Sequence, residues 1–162
     1  MLRKLLTLVF LLGAASATAA DTLYTLTAPL PAAKLECWSR HFKKYDEIVG
    51  YSKLGHFFLR ARASDEYIVL HPFSKGAKSY GVFPSVARFE EKVLKDPGFA
   101  GYVLRADHVA QVRKRVGPLK TEEIYIPEPY PFLGGSGEPS TYGKGNVWVF
   151  MHIVAQMQGL CD

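Results

Sequence analysis

Apolar and polar residues alternate most regularly between Leu54 and Pro72. His56-Phe57-Phe58-Leu59-Arg60-Ala61-Arg62 reads as a strand, Ala63-Ser64-Asp65 as a turn, and Glu66 to His71 as the returning strand. The period of two places Phe58, Arg60 and Arg62 on one face of the first strand and Phe57, Leu59 and Ala61 on the other. One face is fully apolar, so the hairpin is expected to cover a core. Upstream, Pro29 and Pro31 flank Leu30 and favour extended backbone across Asp21 to Lys34. Leu35 to Phe42 fits a short helix or a strand.

Downstream the period lengthens. Ser85 is a suitable cap for a helix from Val86 to Lys95, where Val86, Phe89, Val93 and Leu94 share a face; Asp96-Pro97-Gly98 stops it. Asp107 is placed to cap a second helix through Val109, Val112 and Val116, which Gly117-Pro118 ends. Glu123 to Ile126 predicts a short strand. Phe150, Ile153, Val154 and Met157 recur at i, i+3, i+4 and i+7, which predicts a helix over Trp148 to Gln158; the β-rich VWVF keeps a strand as the alternative. The sum is an α+β fold: a small antiparallel sheet with a central hairpin, packed by about three to four helices.

The first residues change the picture of compartment. Arg3 and Lys4 precede an apolar run from Leu5 to Ala15, and Ala17-Thr18-Ala19 offers small residues for cleavage before Ala20 or Asp21. This is the pattern of a cleaved signal peptide over residues 1–20, too short for a stable membrane anchor. Residues 21–162 then form one domain exported to the periplasm. The formal charge of +5 includes Arg3 and Lys4, so the remainder carries about +3, which is too mild for a nucleic-acid partner. Two cysteines remain, Cys37 and Cys161. In an oxidising compartment an even count suggests a disulfide, with two free buried thiols as the alternative.

Catalytic templates fit poorly. Gly134-Gly135-Ser136-Gly137-Glu138 lacks the final glycine of a nucleophile elbow. Gly137 and Gly143 have five residues between them where a phosphate loop has four, and Lys144 is followed by Gly145. Pro139 sits where a dinucleotide-binding helix would grow. The glycine run therefore reads as a surface loop. None of the histidines, His41, His56, His71, His108 and His152, has another at i+3 or i+4, so no helical metal site is expected and no cofactor is implied. His56 and His71 flank the hairpin and are potential neighbours across it. His152 reads as a structural histidine. The acidic pairs Asp46-Glu47, Asp65-Glu66, Glu90-Glu91 and Glu122-Glu123 read as solvated faces, and no catalytic residue is assigned.

What remains is Ile124 to Asn146, IYIPEPYPFLGGSGEPSTYGKGN. Prolines reduce the entropy lost on docking, and tyrosines are enriched at binding hot spots. Tyr125, Tyr130, Phe132 and Tyr142 are candidate partner-binding residues, with Arg113 and Arg115 of the basic run Arg113-Lys114-Arg115 beside them. The alternative is structural: Phe132 and Leu133 plug the core while the prolines brace the crossing.

The segments YDEIVGYSKLGHFFLR, YIVLHPFSKGAKSYGVFPSV, FEEKVLKDPGF and YIPEPYPFLGGSGEPSTYGKGNVWVFMHIVAQMQGL resemble the C-terminal domain of type VI secretion DNase-immunity proteins, a domain often found beside a GAD-like domain. The similarity runs from Tyr45 to Leu160 and is most specific at Pro129 to Ser136, Lys144 and the Ala155-Gln156 helix. It implies an α+β immunity protein without enzymatic activity that binds and neutralises a cognate toxin encoded nearby. The chain departs from the family in leaving no room for the GAD-like domain and in carrying an export signal. The expected role is thus a periplasmic immunity protein against a secreted effector. A cell-wall-acting enzyme and an envelope ligand-binding module are the alternatives.

Overall fold

The computed structural model describes residues 22–162; the signal-peptide reading of residues 1–20 lies outside them. Strands β1 (Tyr24–Pro31), β2 (Glu47–Ser52), β3 (Phe57–Ala61), β4 (Glu66–His71) and β5 (Gly76–Val82) form an antiparallel meander in chain order. The expected hairpin is β3–β4, paired from Phe57↔Leu70 to Ala61↔Glu66, and it lies at the sheet's centre. Its alternation was expected to give one apolar face, but both faces are buried. Phe57, Leu59, Ile68 and Leu70 enter one core cluster, while Phe58, Tyr67 and Val69 enter another. The cations between them are paired instead of sending a face to solvent: Arg60 meets Asp65 and Glu47, and Arg62 meets Asp46. Asp46, Glu47 and Asp65, expected merely to be solvated, are therefore ion-pair partners of the arginines at this end of the hairpin.

Each face has its own cover. On one side lie α1 (Cys37–His41), α5 (Val147–Met157) and a small sheet of β6 (Glu123–Pro127) and β7 (Tyr142–Asn146). Trp38 is fully buried there, and its indole N–H donates to the Met151 carbonyl at 2.9 Å, which ties α1 to α5. On the other side lie α2 (Val86–Phe89), a π-helical turn over Glu90–Leu94, and α3 (Pro97–Tyr102). Phe89 stacks on Tyr67 with ring centroids 4.6 Å apart. α4 (Ala106–Val116) packs Val109 and Val112 against Leu54, Tyr125 and Tyr142 in a third cluster. Among the described residues no helix is long and apolar enough to cross a membrane.

Ser85 caps α2 as expected, its hydroxyl accepting the Arg88 N–H at 3.1 Å. Asp96 does not simply stop that helix; it caps α3 by accepting the Phe99 N–H at 2.8 Å, with Pro97 at the first helical position. Asp107 lies in the first turn of α4, where its charge suits the helix dipole, and Arg105 holds the cap position in left-handed backbone. The second half of the glycine run is not loop but β7. At Gly145 a Cβ would lie 2.7 Å from Ile126 Cδ1, so the Ile126 side chain packs where a larger residue would push it aside.

Cys37 and Cys161 form a disulfide across 124 positions, with Cα atoms 5.0 Å apart. In the chain-entropy account, closing so large a loop stabilises the fold by about 4–5 kcal/mol. Replacing both cysteines with serine is expected to lower unfolding free energy by about that amount. Denaturant titrations of the oxidised, reduced and doubly substituted proteins measure it, and equal midpoints for all three would refute the estimate.

Candidate recognition surface

α5 begins where Asn146 accepts the N–H groups of Trp148 and Val149. Its inward face is Val147, Phe150, Met151, Val154 and Ala155. Of the four residues whose spacing predicts the helix, Phe150 and Val154 are core, but Ile153 and Met157 point outward. They join Val149 in an i, i+4, i+8 stripe that is 56%, 37% and 48% exposed at Val149, Ile153 and Met157. An apolar helix face normally has packing against it. α5 carries this second apolar stripe beside its inward face and the polar His152 and Gln156.

The stripe continues into a groove of about 380 Å³ between α5 and the loop after β6, where Ile126, Pro129, Tyr130 and Leu133 face Val149 and Ile153. Leu133 is 55% exposed, so it does not plug the core. Phe132 and Tyr130 are half-buried and lean on Phe73, with centroids 5.9 and 5.7 Å away. Loop geometry depends on Gly135. Its N–H donates to the Tyr130 carbonyl, and a Cβ there would stand 1.9 Å from the Pro129 carbonyl oxygen.

The six candidate binding residues do not converge on one surface. Tyr125 and Tyr142 are buried in the third cluster, and the Tyr125 hydroxyl donates to the Gly117 carbonyl at 2.9 Å. Arg115 donates to the Tyr142 carbonyl at 2.8 Å and so holds β7 to α4. Arg113 is half-buried beside Tyr51, Lys53 and Glu122. Of the six, only Tyr130 borders the apolar groove, with the tilted Phe132 ring 5.5 Å from its own. The residues that sequence reasoning missed are Val149, Ile153, Met157 and Leu133. The available signal was an α5 with hardly a polar residue before His152.

The histidines behave as two groups. His152 bonds Glu36 and Gln156, in keeping with a structural role. His56 and His71 do meet across the hairpin, with ring centroids 4.9 Å apart. Among the described residues no set of three or more His, Cys, Asp or Glu side chains is arranged to hold a metal. Burial, then the neighbouring His71 and Arg105, drives His56 down to about 3. Burial also lowers His71 and His108.

Two predictions follow from these environments. Gly135→Ala is expected to open the Tyr130–Gly135 turn and destabilise the fold by about 1–3 kcal/mol, visible in thermal melts; an unchanged melt would contradict it. The second concerns acid. A histidine depressed by folding stays neutral in the folded state while its unfolded counterpart takes up a proton, so its contribution is complete above pH 6.5 and fades as pH falls toward 3 for His56. Stability should therefore decline between pH 6.5 and 4.5, above the ordinary glutamate range. The slope is up to about 1.4 kcal/mol per pH unit for each such histidine. His56→Gln should flatten it, and a flat wild-type profile in that window would exclude this account.

Comparison with known proteins adds one family likeness and one fold likeness. No curated protein matches the chain in sequence. The crystal structure of Atu4351 from Agrobacterium tumefaciens is similar in fold, with a TM-score of 0.57 over 84% of this chain and 67% of that one, at 16% identity. The family model described as "T6SS immunity protein Tdi1, C-terminal" matches residues 85–158. The match takes in everything from the α2 cap through α5, including the groove and the apolar stripe, while the resembling segments before Ser85 fall outside it. Residues 85–158 thus resemble the C-terminal domain of a type VI secretion immunity protein.

Proposed function

We propose that this chain is a periplasmic immunity protein that binds and neutralises a secreted antibacterial effector of the type VI system, without catalysing a reaction. The observation that carries the reading is the outward apolar stripe of α5, which lies inside the segment that matches the immunity family. Such a stripe beside a preformed groove suits an apolar segment of the effector, anchored at Val149, Ile153, Leu133 and Tyr130. Lys144 and Glu128 border the groove and supply a polar rim. The signal-like residues 1–20 support a toxin that acts outside the cytoplasm. Residues 21–162 act in this reading as one exported domain, stapled by the disulfide. The cognate effector is taken to be encoded beside this chain.

The test is co-expression with the product of the adjacent gene. Wild type is expected to form a stable complex and to protect cells from delivery of that product, with protection lost when residues 1–20 are removed. Val149→Glu with Ile153→Glu is expected to keep the melting temperature and to weaken the complex by about a hundredfold or more, as for a pair of central hot-spot residues. Unchanged affinity would rule out this surface. No complex and no protection by wild type would rule out the immunity reading itself.

A further inference from the structure

The hairpin end that carries His56 and His71 opens into a cleft that shares no lining residue with the α5 groove. The cleft holds about 390 Å³ and is walled by Phe73, Tyr102, Arg105 and Tyr142 around the two histidines. It continues past His71 and Tyr102 into a second hollow of about 320 Å³ that reaches Lys78 and Asp96. Volumes of this size suit small ligands. Tyr102 stands at the divide and is 89% exposed, an unusual place for so large an aromatic ring unless something packs on it.

The hydrogen bonds fix what the cleft offers. The Ser52 hydroxyl oxygen accepts the N–H groups of Leu54 and His56 at 3.2 and 3.0 Å. Its own hydrogen therefore goes to His56 Nδ1, 3.0 Å away. That leaves the His56 proton on Nε2. Arg105 can only donate, and its Nη2 lies 3.1 Å from His108 Nδ1. His108 therefore also carries its proton on Nε2, and that atom is buried with no partner among the described residues. Arg105 is held in left-handed backbone, at φ 51 and ψ 56. A non-glycine residue costs on the order of 1 kcal/mol in that region, and such strain clusters at binding sites. No carboxylate lines the first hollow. The one in the second hollow, Asp96, caps α3.

We propose that this cleft binds the carboxylate end of a dipeptide-sized ligand, with the Arg105 guanidinium and the His56 Nε2–H as its donors. Phe73, Tyr102 and Tyr142 hold the apolar body, and the remainder runs past His71 toward Lys78. A single guanidinium beside neutral N–H donors matches one negative charge better than the two of a phosphate monoester. Burial keeps His56 neutral until about pH 3, so a second positive charge does not develop there near neutrality.

The test uses the disulfide-bonded chain with acetyl-Ala-Ala as free acid and as C-terminal amide, following the histidine ring resonances by NMR. The acid is expected to shift the His56 and His71 signals along a saturating curve, and the amide to bind about tenfold more weakly or worse. Arg105→Gln should weaken the acid by a similar factor, with the melting temperature and the effector complex unchanged. Should that variant fail to fold, Tyr102→Ala removes a side chain the core does not use, and several-fold weaker binding is expected. Acid and amide binding alike, ring signals that do not move, or full affinity in the variants would each overturn the proposal. None of these outcomes touches the effector complex, so this inference and the immunity reading fail separately.

Discussion

The central hairpin is buried on both faces, and the placement of every other element follows from that. Phe57 and Phe58 are neighbours in sequence and point into different cores. A sheet in that position needs two covers, and the chain supplies them in separate pieces. α2, the π-helical turn and α3 come directly after β5 and close one face. α1 and α5, from opposite ends of the described chain, close the other. The Trp38–Met151 hydrogen bond and the Cys37–Cys161 bridge hold that second cover together. Because α5 is apolar on more than one side, spending one side on the sheet leaves another unpacked, and the molecule's most conspicuous surface is a by-product of how its core is closed.

Much of this could be read from the residues, and the misses have physical causes. The β3–β4 hairpin, the Ser85 cap, α4, β6 and α5 all carry strong local signals, either period-two or period-3.6 spacing or a capping residue beside a stop. β2 and β5 do not. Glu47–Ser52 and Gly76–Val82 hold glycines and mixed side chains, and their strand character comes from pairing with β3 and β4. β7 was hidden for a related reason: its glycines make way for the Ile126 and Glu128 side chains of the neighbouring strand and loop, which no local pattern reveals. The disulfide was legible from count and compartment alone.

Site residues were harder. Tyr125 and Tyr142 have the composition of a recognition loop and the burial of a core, because a tyrosine ring serves either end equally well. Periodicity located α5 but could not say which of its apolar sides meets the sheet, since more than one side qualified. Arg105 gave no signal in sequence; its place in the histidine cleft comes from tertiary neighbours and from a backbone angle. The proline-rich loop after β6 is a wall of both hollows: Tyr130 and Leu133 face the apolar groove, and Pro131 and Ser136 face the histidine cleft. A movement of this one loop would be felt on both sides of it.

The bridge between Cys37 and Cys161 has a further consequence for the chain as a covalent object. It encloses strands β2 to β7, all five helices and the exposed proline-rich loop within a single ring, with β1 alone of the strands outside it. A protease that cuts once in that loop opens the ring without dividing the molecule. The two fragments stay joined by sulfur, and β6 remains hydrogen-bonded to β7 on the far side of the cut. A nicked chain would migrate as one species until reduced, and it would need no diffusive search to find its own other half.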